Sequence, residues 1–220
     1  MTPRRRAGFT LIELLTVIAI IGIMSAALFP AIQGVRKKAK QSSATTAFSQ
    51  WATGINRYHQ AYQFYPNIGA AYDSSKDSVH LLEDAGTNLK FVKALSGRQP
   101  TGTSLVVADR KLLNRDAQEF CSFGKDDFDD PENLSNASRL VDRFGNYNIR
   151  VIFDTDKNTN IRNITVPLGA ASMPEDIRSI SGTSGIPARV IIYTTDLLGD
   201  FSNLETSVDP SDYAQVLAIQ

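Results

Sequence analysis

Gly8-Phe9-Thr10-Leu11-Ile12-Glu13-Leu14-Leu15 opens an apolar run in which Glu13 is the one charge before Arg36, and three arginines, Arg4 to Arg6, precede it. From Leu14 to Val35 there are 22 consecutive uncharged residues, mostly Leu, Ile, Val, Ala and Met. About 20 such residues at 1.5 Å rise each cross a hydrocarbon core, so the run predicts a transmembrane helix. Only a helix satisfies all its backbone polar groups within one segment in lipid. Glu13 is the exception to be explained, because a carboxylate in such a run costs roughly 2.5–3.5 kcal/mol on insertion scales. No Lys or Arg lies in the run to balance it. A cut before Phe9 would create the missing cation, a free α-amine four residues from Glu13. Neighbouring helices staggered along an axis would bring the two together. Gly8 supplies the small residue that a peptidase needs before the cut. A plain anchor or a secretory signal peptide, with Ser25-Ala26-Ala27 as a small-residue cleavage site, would gain nothing from Glu13.

At these residues the sequence resembles the type IV pilin and type II secretion pseudopilin family. Gly8 to Leu15 matches that family's processing motif, with a short basic leader, glycine before the cut, phenylalanine after it and glutamate fifth. The resemblance implies cleavage between Gly8 and Phe9 by a membrane prepilin peptidase and N-methylation of Phe9. It further implies a helical filament of this chain and other pseudopilins, raised from an inner-membrane assembly platform, with Glu13 setting the register. Gly22 and Pro30, where the family's helices loosen, match as well.

Charge does not settle the orientation. Arg36, Lys37, Lys38 and Lys40 lie beyond one end of the run and the three leader arginines beyond the other. The resemblance implies a single-pass inner-membrane protein with a cytoplasmic leader and a periplasmic head. The whole chain has 23 basic and 23 acidic side chains, so loss of the leader's three arginines leaves a net charge of −3. Nothing in that balance points to nucleic acid.

The chain reads as leader 1–8, membrane and assembly helix 9–35, amphipathic helix 36–62 and head 63–220. Phe48, Trp51, Ile55, Tyr58 and Tyr62, at spacings of 3, 4, 3 and 4, form one stripe on a helix. Burying these five side chains is worth about 8–15 kcal/mol before entropy, enough to fix the helix to a head. Gly54 weakens this segment slightly and Pro30 is the expected kink. Pro66 ends the helix and Ile68 to Ser78 reads as a loop. Leu81 to Leu95 reads as one broken or two short helices closed by Gly97, with His80 at the start. Strands are expected at Leu105–Ala108, Asn148–Phe153, Ile161–Val166 and Arg189–Thr194, forming an antiparallel meander. Ile149, Val151 and Phe153 share one face of their strand, and Arg150 and Ile152 the other. Phe123 to Asn136 reads as an acidic, loop-like insertion. The fold class is α+β, a long N-terminal helix on a small antiparallel sheet.

The stretch Leu140-Val141-Asp142-Arg143-Phe144-Gly145-Asn146-Tyr147 partly resembles a turn that opens the pseudopilin sheet. Arg143 stands for the family's proline and Phe144 for its tryptophan. Lys93 to Gly97 followed by a proline resembles that family's helix-to-sheet loop. Cys121 is alone, so no intrachain disulfide exists, whereas many pilins close a C-terminal loop with a cysteine pair. This departure favours a pseudopilin over a type IV pilin of a surface pilus for adhesion, motility or DNA uptake.

Asp154, Asp156, Asn158 and Asn160 alternate along one loop, as oxygen ligands of Ca²⁺ do. An EF-hand is excluded, since Thr159 takes the place of its glycine and Thr165 that of its glutamate. Asp196, Asp200, Asp209 and Asp212 are a second candidate set, in the region where the resemblance implies calcium sites. The Asp154–Asn160 loop could instead serve a membrane-anchored periplasmic module binding Ca²⁺ or a glycan. His59 and His80 have no catalytic partner in the sequence, and no phosphate loop, Cys-x-x-Cys or Gly-x-Ser-x-Gly is present. The chain reads as a substrate of processing enzymes and not as an enzyme.

Overall fold

The computed structural model describes residues 11–69, 77–161, 186–194 and 217–219, without the side chains of 27–31, 33, 37, 78 and 217–219. The chain divides into two units, Met1–Lys40 and Gln41–Gln220. Helix α1 runs from Leu11 to Tyr62, and its helical assignment is unbroken through Gly22 and Pro30.

In the second unit the aromatic stripe is buried as expected. Phe48, Trp51, Ile55 and Tyr58 are buried and Tyr62 is half-buried against the same core. Trp51 lies 5.1 Å from Phe48, 6.1 Å from Phe91 and 5.7 Å from Phe123, ring centre to ring centre. Ring pairs at such separations add about 0.5–1.5 kcal/mol beyond their buried area.

Strands β1 (Ser78–Leu81), β2 (Ile149–Phe153), β3 (Val190–Thr194) and β4 (Leu217–Ile219) form one antiparallel sheet in that order. The meander is as expected, but two of its strands are not. The stretch read as a loop reaching a helix start carries β1, and His80 is a strand residue paired with Val151. The helix begins later, as α2 (Ala85–Ser96), capped by the Asp84 carboxylate on the Thr87 N–H at 2.7 Å. Gly97 closes it in the left-handed conformation, φ 66°, as read. Leu105–Ala108 is not a strand. Only Leu105 of that run's three largest residues is buried, Val106 and Val107 are exposed, and helix α3 (Val107–Leu112) starts there. Ile161 forms a single bridge with Ile186, and the rest of its expected strand lies outside the described residues.

The alternation in β2 separates two apolar layers. Ile149, Val151 and Phe153 join the α1 and α2 residues, whereas Ile152 joins Val79, Ile161, Ile186 and Ile191 on the other face. Arg150 on this second face is buried, and its Nη1 reaches Glu83 Oε2 at 2.8 Å.

The acidic insertion is held in place by its own carboxylates. Asp127 accepts from the Gly124 N–H at 2.7 Å and pairs with Arg143 at 2.9 Å. Arg143 also donates to the Asp126 carbonyl. Asp142 accepts from the Phe144 and Asn146 N–H groups, and Gly145 takes φ 86°, so this turn is built by its Asp, Gly and Asn. Asn114, fully buried, donates to the Ala94 and Gln118 carbonyls and accepts from the Tyr62 hydroxyl, tying the loop after α3 to both long helices.

Gly54 has a role that its helix propensity conceals. A Cβ there would lie 2.8 Å from the Cys121 Cβ and 3.3 Å from the Phe120 carbonyl. The chain crosses α1 at this point, and only a glycine lets it approach so closely. Gly54→Ala recovers up to about 1 kcal/mol of helix propensity but overpacks the crossing at about 1–3 kcal/mol. Calorimetry of the variant should therefore show a lower melting temperature, and a higher one would refute the close crossing.

Candidate functional site

Gly8 and Phe9 lie outside the described residues. Glu13 is in the first turn of α1, where a carboxylate suits the positive end of the helix dipole. Every described residue from Leu11 to Met24 is exposed, among them Leu11 at 81 %, Ile12 at 70 % and Ile23 at 73 %. These side chains surround the helix on all faces, the pattern of a helix that is buried in an assembly or in lipid. Covering the twelve exposed large apolar residues between Leu11 and Val35 would be worth on the order of 18–36 kcal/mol. Positions 27–31 and 33, in the second half of the expected membrane span, have undescribed side chains. Among the described residues no helix is long and apolar enough to cross a membrane.

The acidic loop after β2 is brought together with a partner that the sequence reading missed. Ser78 pairs with Phe153, so Asp77 and Asp154, one step beyond each strand end, meet at the edge of the hairpin. With Asp156 they offer three carboxylate oxygens within 4.8 Å of one another. Asp77 and Asp154 are buried; Asp156 is partly exposed. Asp154 accepts from the Asn158 N–H at 3.1 Å and the Thr159 N–H at 2.9 Å, and Asp77 from the Thr155 N–H at 3.0 Å. Burial raises the Asp154 pKa above the usual carboxylate range, and Asp77 and Asp156 push it the same way. Asn158 also braces the turn. The Asn158 amide donates to Asp156 and accepts from the Asn160 N–H at 2.7 Å. Lys157 and Thr159 adopt φ of 61° and 62°, a conformation costly for residues with a Cβ and most of all for a β-branched one. The signal for Asp77 was its position just before a strand, legible only once β1 is known. Asp196, Asp200, Asp209 and Asp212 lie outside the described residues.

The remaining titratable candidates are inert. His80 is buried against Phe153, and burial lowers its pKa to about 4, so it is neutral at pH 7. His59 stacks on Tyr65 at 4.4 Å, its pKa lowered by burial and then by Lys157 and Arg189. Burial raises the Cys121 thiol to about 12, so it behaves as a small apolar residue.

Comparison with known proteins finds one family motif and several relatives. The prokaryotic N-terminal methylation motif matches residues 3–29. The chain is 31 % identical to the type II secretion system core protein G of Aeromonas hydrophila over 74 residues, 34 % of this chain and 52 % of the relative. It is 37 % identical over 80 residues to the type IV major pilin protein PilE of Neisseria gonorrhoeae, 34 % of this chain and 48 % of that one. A fimbrial protein of Neisseria meningitidis is 38 % identical over 72 residues, 32 % of this chain and 42 % of that protein. The chain thus spans about half the length of the curated relatives it matches. No solved structure matches it.

Proposed function

We propose that this chain, a member of the pilin and pseudopilin family, is a structural subunit of a type II secretion pseudopilus. The observation that carries the reading is a helix apolar on every face whose first turn holds Glu13. Such a surface has to be covered, by lipid while the subunit is stored and by other copies once it is assembled. Prepilin peptidase would cut between Gly8 and Phe9, and the exposed amine of Phe9 would be methylated. In the apolar axis of the filament Glu13 of one subunit would then pair with the Phe9 amine of a neighbour, because an uncompensated charge there is costly. The head would stay on the periplasmic side of the inner membrane until the assembly platform raises the subunit. Nothing in this role asks for catalysis, and the family is one of structural subunits.

The relatives include both a secretion protein and surface pilins, so a type IV pilus is the second reading. The Asp142–Asn146 turn that leads into β2 and the lone Cys121 favour the pseudopilin. Mass spectrometry of the native protein is the test. A first peptide starting at N-methylated Phe9 is expected, and a functioning protein that keeps Met1 or Arg6 would overturn the reading.

We also propose Ca²⁺ as the counter-ion of the Asp77–Asp154–Asp156 cluster. Carboxylate oxygens are the donors that a hard cation takes. The raised Asp154 pKa means that the folded state holds this proton more tightly than the unfolded state. The resulting stability is complete below the unfolded carboxylate pKa and is lost as pH rises through the folded one, so the ionised cluster weakens the head at neutral pH. Calcium would restore what ionisation removes. In detergent at pH 7 the full chain should melt at a higher temperature with Ca²⁺ than with chelator. Asp77→Asn, which keeps an oxygen for the Thr155 N–H, should melt higher than the parent in chelator and lose the Ca²⁺ response. Equal midpoints with and without Ca²⁺ for the parent chain remove the metal.

A further inference from the structure

Two surfaces of the head carry opposite charge and stand at different levels along α1. The first is a groove of about 220 Å³ near the C-terminal end of α1, lined by Tyr62, Phe64, Leu112, Lys111 and Arg115 among others. Its apolar floor is open, with Leu112 at 73 % and Phe64 at 47 % exposure, and α3 buries none of its own residues. Lys111 and Arg115 are exposed at its rim with Arg110 beside Lys111 in sequence, while Asp109 is taken by Lys93 at 2.8 Å and the exposed Asp116 lies 3.6 Å from Arg115, leaving the rim net positive. The second surface is the insertion from Phe123 to Asn136, with five acidic residues against one lysine. Asp127 is buried on Arg143, which leaves Asp126, Asp129, Asp130 and Glu132 exposed. Its tip, Asp130-Pro131-Glu132, sets an apolar ring between two carboxylates, the counterpart of Leu112 between Lys111 and Arg115.

Level along the helix follows from the residues that each surface touches. The insertion reaches α1 through Phe123 on Trp51, and the groove through Asn114 on Tyr62. Eleven residues separate these anchor points, about 16 Å along an α-helix at 1.5 Å per residue. A patch that fits a different patch on an identical molecule makes a heterologous contact, and such contacts propagate into open helical assemblies unless the rotation closes a ring.

We propose that the acidic tip Asp130–Glu132 of one copy docks in the Leu112–Arg115 groove of the next, a staggered head-to-head contact along the filament. This inference rests on the filament reading above. It offsets the contacting heads along α1 and gives charge complementarity the task of selecting the register, which is where such pairs act most strongly. Glu13 would pair the helices, and the groove would pair the heads.

The test uses the full chain in cells that assemble the filament. A Lys111→Cys/Asp130→Cys double variant, with the buried Cys121 replaced by alanine, should yield a ladder of disulfide-linked copies in the filament fraction, and neither single variant should. Lys111→Glu/Arg115→Glu should lower filament yield at least about tenfold, since two attractive pairs become repulsive. Adding Asp130→Lys/Glu132→Lys to the same chain should restore it. Filaments that form normally without a ladder, or that ignore the charge reversal, refute the docking and leave the filament reading standing. Cross-linking by a single-cysteine variant refutes it too, because it would show a patch meeting itself. Absence of filaments from the parent chain would overturn the filament reading itself.

Discussion

A Glu13→Ala chain is expected to be cut after Gly8 and held in the membrane, yet to be missing from filaments. The signs of the two steps differ. Storage in lipid loses an acidic group that costs roughly 2.5–3.5 kcal/mol to insert, so the variant enters the bilayer at least as well as the parent. Assembly through the proposed Glu13–Phe9 pair would lose one partner of a desolvated pair and leave the Phe9 amine uncompensated. Breaking a buried pair from one side costs about 3–5 kcal/mol. At 1.4 kcal/mol per factor of ten, subunit affinity falls by roughly two to three and a half orders of magnitude. The loss recurs at every subunit added, so the filament fraction should be empty rather than thinned. Immunoblots of sheared filaments and of membranes from the same cells measure both steps at once. Equal filament yield would show that Glu13 has some other use.

That prediction could be written from the sequence, because its evidence is a single charge in an apolar run. The apolar run, the leader and Glu13 are a local pattern, and lipid imposes its demands on one segment at a time. The stripe from Phe48 to Tyr62 was equally legible, since a 3.6-residue period leaves one answer to which face is buried. Where the reading failed, the deciding contact was remote in sequence. Ser78–Leu81 has too little alternation to stand as a strand alone, and it becomes one only against Val151 and its neighbours in β2. Val106 and Val107 have the side chains of a strand, but no edge is offered to them and they start α3 instead. The acidic loop shows the same limit. Its own Asp and Asn residues were visible, yet Asp77 joins them through a strand pairing across more than seventy residues. Gly54 was misjudged for the same reason, because helix propensity is a local quantity and the crossing at Cys121 is not.

Trp51→Ala should have the largest effect on the head and should leave maturation untouched. The indole is 2 % exposed and lies among Phe48, Phe91 and Phe123, which come from α1, α2 and the acidic insertion. Its loss opens a cavity that three elements cannot close together, since each is fixed elsewhere. α1 is held by the Tyr58 and Tyr62 hydroxyls on Leu113 and Asn114, α2 by its Asp84 and Gly97 caps, and the insertion by the Asp127–Arg143 pair. Removal of a buried Trp costs about 3–5 kcal/mol. For a unit of this size each kcal/mol moves the midpoint by about 2–4 °C, so the melting temperature should drop by roughly 6–20 °C. Trp51→Phe keeps a ring in the cluster and should lose less. Calorimetry of the detergent-solubilised chain gives the midpoints, and a fall of less than about 2 °C for Trp51→Ala would mean that the aromatic cluster does not hold the head. On the proposed maturation the N-terminus of the same sample should still begin at Phe9, because a peptidase that reads the motif around Gly8 would not depend on the head.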